Sequence, residues 1–290
     1  MKISVSTYSF SQLLNSGELN QFSCIAKAKE LGFNAVEFVD ILPHDGSSER
    51  DYAKRLGQEV RRQRLEVSNF TFGADFLNAD GGAKAEIARV KERIELAVEL
   101  GATSVRHDAT IGLPAGKGYR SFDSVLPILS DACRQITEYA ATLGVRTMVE
   151  NHGQFCQESS RVEKLVAAVD HPNFGLLADM GNFLCADEDP TQAFGRIAPY
   201  AFYAHAKDFH FKSGSGDNPG PGFFTTRAGN YLRGAIIGHG CVPVRQCLSV
   251  LKANGYQGMI AVEFEGLEDC LTGVRLGLDN LRRFAQQAGL

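Results

Sequence analysis

Short, dense apolar runs alternate along this chain with longer stretches in which apolar residues recur every three or four positions. Four times the same cadence returns: a helical tail, a glycine, then an apolar run. It reads "KELGFNAVEFVD", "VELGATSVRHD", "ATLGVRTMVEN" and "KANGYQGMIAVEFE". Glycine closes a helix cheaply because it alone takes the left-handed conformation without a Cβ clash. The runs that follow are short and rich in β-branched residues, as strands covered on both faces should be. Strands are expected near 3–8, 35–39, 65–71, 103–107, 146–150, 174–179, 201–206 and 259–264.

Between them lie helical stripes. Ile87, Val90, Ile94, Ala97 and Val98 share a face of 83–100, and Leu126, Leu129, Cys133, Ile136 and Ala140 share one of 121–143. A shorter stripe carries Leu165, Val166 and Val169. Pro243 is expected at the first turn of a helix bearing Val244, Cys247, Leu248 and Leu251. Val274, Leu278, Leu281 and Phe284 mark the last helix. Strand–helix alternation implies parallel pairing with right-handed crossovers. Eight such units predict an α/β protein, a closed (β/α)8 TIM barrel forming a single domain over 1–290. The open doubly wound sheet is the alternative, but no G-x-G-x-x-G follows the first strand. Residues 209–240, with eight glycines and two prolines, read as one long Gly-rich loop near the active site.

Composition narrows the class. Of 290 residues 44% are hydrophobic and 22% charged, and the net charge is −4. Such a chain has a sizeable core and no electrostatic reason to bind nucleic acid. No apolar stretch is long enough to cross a membrane, and the alternating N-terminus reads as a strand, not a signal peptide. Seven scattered cysteines without C-x-x-C suggest buried small hydrophobes in a reducing, cytoplasmic setting.

In a barrel of this kind the chemistry sits where strands end. The strand ends offer Glu37, Asn69, His107, Glu150 and His152, Asp179 and Asn182, His205, then Glu263 and Glu265. Taken singly, each polar residue could simply mark a strand leaving the core. Glu150, Asp179, His205 and Glu263 close four successive strands. Three carboxylates converging there repel one another unless a cation lies between them. Three carboxylates and an imidazole form a hard, oxygen-rich set that favours one divalent metal ion, Mn2+ first, with Mg2+, Co2+ or Zn2+ as alternatives. The loaded site would carry a charge of about −1, suited to a neutral sugar or polyol.

The motifs "VENHG", "LLADMGNF", "HAKD", "GHGCVP" before a helix, and "VEFEG" resemble those of the sugar phosphate isomerase/epimerase family, within the xylose isomerase-like TIM barrel superfamily. The resemblance spans nearly the whole chain. That group includes ketose 3-epimerases, hydroxypyruvate isomerase, inosose dehydratase and, more distantly, endonuclease IV. The set is specific for the superfamily and weak for substrate. It implies that Glu150, Asp179, His205 and Glu263 bind one metal ion and that Glu150 and Glu263 double as catalytic acid and base. It also implies a substrate-contacting arginine near Arg233. Where many ketose epimerases have a histidine after the metal-binding aspartate, this chain reads "DMGN". Their substrate contacts therefore do not transfer directly, and Asn182 stands at that place.

The chemistry expected is proton transfer beside a carbonyl through a metal-stabilised cis-enediolate. Return of the proton to the far face gives epimerisation, and return to the neighbouring carbon gives isomerisation. Loss of a β-hydroxyl makes the chain a keto-sugar or inosose dehydratase or lyase instead. His107, His152 and His210 are placed to contact substrate, Glu37 is a carboxylate costly to bury unpaired, and Lys207 and Asp208 are placed to order His205. Gly238 and Gly240 before a helix, with Arg227 and Arg233 nearby, offer a possible phosphate site. Two further rivals are a metallo-phosphodiesterase like endonuclease IV, which lacks a basic face here, and a sugar-binding barrel without turnover. A homo-oligomer rests on analogy with similar barrels.

Overall fold

The computed structural model describes residues 1–116 and 118–290. The chain opens with β1 (Ile3–Ser6), α1 (Ser11–Ser16), α2 (Gln21–Leu31), β2 (Ala35–Val39) and α3 (Glu49–Arg62). It continues through β3 (Glu66–Phe72), α4 (Gly82–Leu100), β4 (Ser104–His107), α5 (Phe122–Thr142) and β5 (Arg146–Glu150). Next come α6 (Ser159–Val169), β6 (Phe174–Asp179), α7 (Pro190–Ile197) and β7 (Ala201–Ala206). A small insert, β8 (Asp208–Lys212), β9 (Phe224–Thr225) and β10 (Tyr231–Ala235), precedes α8 (Val244–Ala253), β11 (Ile260–Val262) and α9 (Cys270–Ala288). Strands β1 to β7 and β11 close into a parallel barrel, with β11 pairing both β7 and β1.

The expected strands all form, within two residues at each end; the first and last stop two residues short, at Ser6 and Val262. Gly32, Gly101, Gly144 and Gly255, the glycines of the repeated cadence, all have positive φ at helix ends. Helix starts are fixed by side chains: Asn20 and Ser121 form reciprocal caps on α2 and α5, and Asp269 accepts from Thr272 at α9. α3 crosses α4 so closely that a Cβ on Gly57 would lie 2.2 Å from the Leu100 carbonyl oxygen.

Some expectations shift. α6 begins at Ser159, well before its apolar stripe, and Val98 lies at the exposed edge of α4. Pro243 stands one position before α8, because its ψ of 59° is not helical. The largest correction concerns 209–240. It is not one irregular loop: β8, β10 and β9 form a three-stranded antiparallel sheet, with Gly234 opposite Phe209 and Leu232 opposite both Phe211 and Phe224. The glycines masked the period-two alternation that buries Phe209 and Leu232.

Most of the core lies between the strands and the helices. A second, smaller cluster plugs the barrel: Met148, Leu177, Tyr203 and Ala261. These four point inward from β5, β6, β7 and β11. Strand side chains alternate faces, so the residue two positions further along each strand points inward again. Those residues are Glu150, Asp179, His205 and Glu263. Among the described residues, no helix is long and apolar enough to cross a membrane, and the seven cysteines are free, six of them buried.

Candidate active site

His205 is the hub. It is fully enclosed, and its Nε2 lies 2.7 Å from Glu37 Oε2. Glu37 is itself fully buried, and its other oxygen accepts from Asn69 Nδ2 at 3.0 Å and from the Thr71 hydroxyl at 2.5 Å. This fixes the imidazole plane and leaves Nδ1 aimed across the barrel mouth. Nδ1 has no hydrogen-bond partner. Around it stand Glu263 Oε2 at 3.4 Å, Asp179 Oδ2 at 3.5 Å and Glu150 Oε1 at 3.7 Å.

Each carboxylate is held by its own neighbours. Asp179 Oδ1 accepts from the backbone N–H groups of Gly181 and Asn182, at 2.7 and 2.8 Å, while buried Oδ2 makes no hydrogen bond. Asn151 clamps the Asp179 backbone through both its amide atoms. Glu150 accepts from Asn182 Nδ2 at 2.9 Å and lies 2.6 Å from Arg106 Nε. Glu263 lies 2.6 Å from Lys207 Nζ, which also faces Asp179 and Glu265 at 3.6 Å.

The electrostatics follow from burial and these partners. Burial opposes charge on His205, yet Glu263 and Glu37 hold its pKa well above the ordinary imidazole range. Burial likewise opposes charge on Lys207, and Asp179, Glu263 and Glu265 outweigh it, so its pKa rises. Glu150 is pushed up by burial against the pull of Arg106. Glu263 is pushed down despite burial, because His205 and Lys207 both face it.

Glu150, Asp179, His205 and Glu263 each offer one ligand atom, and those atoms lie within 4.8 Å of one another. An unpartnered imidazole nitrogen and an unpartnered carboxylate oxygen face the same point. A buried orphan of either kind is costly, so the donor set fits a divalent cation.

Among the other sequence candidates, Asn182 and His152 line the mouth cavity. His152 is about half exposed, and its Nδ1 lies 3.0 Å from Asp108 Oδ1. His107 goes elsewhere. It shares the phase of buried Val105, so it points outward, between Phe76 and Phe174, with Nδ1 bonded to the Asp108 carbonyl at 2.8 Å. Burial lowers its pKa to about 4. The inward residue of β4 is Arg106, which the sequence reading missed: alternation puts Arg106 and His107 on opposite faces but does not say which face is inward. It ties Glu150 to Asp108, and thereby to His152. His210 and Arg233 face each other across β8 and β10, and neither lines the cavities at the mouth. The Arg233 guanidinium instead lies over the Phe223 ring at 5.4 Å.

The glycine turn also differs from expectation. Asp208 does not touch His205's free nitrogen. Its carboxylate accepts the N–H groups of Phe209, Gly238, Gly240 and Val242 at 2.8–2.9 Å. A Cβ on Gly240 would lie 2.2 Å from Asp208 Oδ1, which explains that glycine. The anion nest is therefore filled by the chain's own side chain. Arg227 is engaged with Glu158 and the Gln154 carbonyl.

Comparison with known proteins agrees with this architecture. The sequence profile of the family described as xylose isomerase-like TIM barrel matches residues 25–284. An inosose dehydratase of Lactiplantibacillus plantarum is 25% identical over 223 residues, covering 73% of each chain. The uncharacterised Escherichia coli K12 protein YihM is 26% identical over 153 residues, which is 53% of this chain and 41% of YihM. In fold, the D-psicose 3-epimerase of Clostridium cellulolyticum H10, solved with D-tagatose, superposes with a TM-score of 0.74 at 15% identity, covering 98% of this chain and 99% of its own.

Proposed function

The chain belongs to the xylose isomerase-like TIM barrel family, and within it we propose a divalent-metal-dependent isomerase or epimerase of a sugar or sugar-like keto compound. The observation that carries this reading is the convergence of Glu150, Asp179 Oδ2, Glu263 and the unpartnered His205 Nδ1 on one point. Those four residues would hold the ion, with Mn2+ favoured by the oxygen-rich set and Mg2+, Co2+ or Zn2+ as alternatives. Once bound, the ion supplies positive charge that stabilises the enediolate developing on the substrate.

The chain's own groups do the rest. Glu150 ends β5 and Glu263 directly follows β11, with β6 and β7 between them, so a substrate at the mouth meets one carboxylate on each flank. One takes the proton beside the carbonyl and the other returns one. Arg106 holds Glu150 and Lys207 holds Glu263, so neither carboxylate needs to reorganise to act. Tyr8, His152 and Glu265 line the adjoining cavity and would position substrate hydroxyls. A dehydratase is the second reading. It is favoured by the inosose dehydratase relative, and by His152, hydrogen-bonded to Asp108 near Glu150, where a leaving hydroxyl would need a proton.

The test is proton NMR in D2O, with Mn2+-loaded protein and a panel of ketoses, keto acids and inososes. Deuterium should enter beside a carbonyl, and Glu150→Gln should slow that exchange by about 10²–10⁴-fold. Loss of water by mass would select the dehydratase. Exchange that persists undiminished in Glu150→Gln would remove Glu150 from the chemistry.

A further inference from the structure

The barrel mouth is two chambers. The inner one, about 190 Å3, is lined by Arg106, Glu150, Thr71 and Glu263. The outer one, about 540 Å3, is lined by Gln154, Asn182, Gly222 and Phe224. Tyr8, His152, Lys207 and Glu265 belong to both, so the two are continuous. The inner chamber holds the groups that would react. The outer is nearly three times larger and holds none of the four converging residues.

Charge restricts what can enter. Six carboxylates gather here: Glu37, Asp108, Glu150, Asp179, Glu263 and Glu265. They face the fixed cations Arg106 and Lys207 and the imidazole of His205, three basic groups against six acids. A divalent ion would still leave acid in excess. Among the described residues lining the chambers, Arg106, Lys207 and His152 each already face a carboxylate. A phosphate or carboxylate on the substrate would find no unengaged cation and a repulsive field. The outer wall is of another kind. Tyr8 and Phe224 expose 42% and 40% of their surface, beside the Glu265 carboxylate. Exposed aromatic faces next to hydrogen-bond acceptors match a sugar ring, which has apolar C–H faces and a rim of hydroxyl donors.

We propose that the substrate is an uncharged keto sugar carrying a second sugar ring, with the reacting ring in the inner chamber and the second ring between Tyr8, Phe224 and Glu265. This rests on the isomerase or epimerase reading for the inner chamber only. The probes are D-fructose, D-fructose 6-phosphate and the three glucosylfructoses linked through O3, O4 and O6 (turanose, maltulose and isomaltulose). Calorimetry measures their binding to the protein with and without Mn2+, and D2O exchange is followed separately. At least one glucosylfructose is expected to bind about 10-fold more tightly than fructose, and fructose 6-phosphate more weakly than fructose. In Phe224→Ala and in Tyr8→Ala the preference for the second ring, measured within each variant, should fall toward unity. Tighter binding of the phosphate, or no preference for any glucosylfructose over fructose, overturns the proposal. Tight binding of a glucosylfructose without exchange upholds the two-ring assignment and counts against the isomerase reading.

Discussion

Replacing Asp208 by asparagine tests how the glycine turn is built. In the native chain Oδ1 accepts from Phe209 N and Val242 N, and Oδ2 accepts from Gly238 N and Gly240 N. Asp208 is 1% exposed, so water cannot replace a lost acceptor. Asparagine keeps one oxygen and turns an NH2 group toward the other pair of N–H donors. Two backbone donors are then left unsatisfied. At about 1–3 kcal/mol for each, the loss should be about 2–6 kcal/mol, a large share of a typical total of about 5–15 kcal/mol. Asp208→Ala removes both oxygens and should cost more. Equilibrium urea unfolding at neutral pH reads both values. Inorganic phosphate should add no stability to the wild type, because the nest is already filled. A loss below about 0.5 kcal/mol in Asp208→Asn, or stabilisation of the wild type by phosphate, would refute the claim that this carboxylate organises the turn.

Three further outcomes are expected. His107 has its pKa lowered by burial to about 4, so the folded state favours the neutral ring; stability is complete above the ordinary imidazole value of ~6.5 and is lost as pH falls toward 4, by about 3 kcal/mol. His107→Phe should flatten that slope in urea midpoints taken between pH 7 and 4, and an unchanged slope would acquit His107. Glu37→Gln weakens the acceptor that aligns His205, and should lower Mn2+ affinity by about 10–100-fold in calorimetric titration; equal affinity would mean that Glu37 does not orient the ligand. Mn2+ at about 100 times its dissociation constant should stabilise the wild type by about 2.7 kcal/mol, seen as a raised thermal midpoint that chelator reverses and Asp179→Asn largely lacks. A midpoint indifferent to Mn2+, Mg2+, Co2+ and Zn2+ would leave the metal reading without support.

The sequence by itself determined the architecture. Eight apolar runs, four of them announced by a helix-closing glycine, are local signals, and strand–helix alternation leaves few ways to arrange them. It also placed Glu150, Asp179, His205 and Glu263 at strand ends, because a polar residue after an apolar run is visible in one dimension. Their convergence follows from parity: each lies two residues beyond an inward apolar side chain, Met148, Leu177, Tyr203 or Ala261. Parity also decided what the sequence reading got wrong. His107 and Arg106 are adjacent, and only barrel closure settles which one faces the mouth. The tertiary structure alone could show that Arg106 and Lys207 brace Glu150 and Glu263, since these pairs join separate strand ends. It alone showed that Asp208 fills the glycine nest thirty residues downstream, because hydrogen bonds at that separation leave no periodic trace in the chain. The two chambers are likewise a property of packing: Tyr8, Gln154, Phe224 and Glu265 come from four distant segments, and no local pattern records that they share one wall.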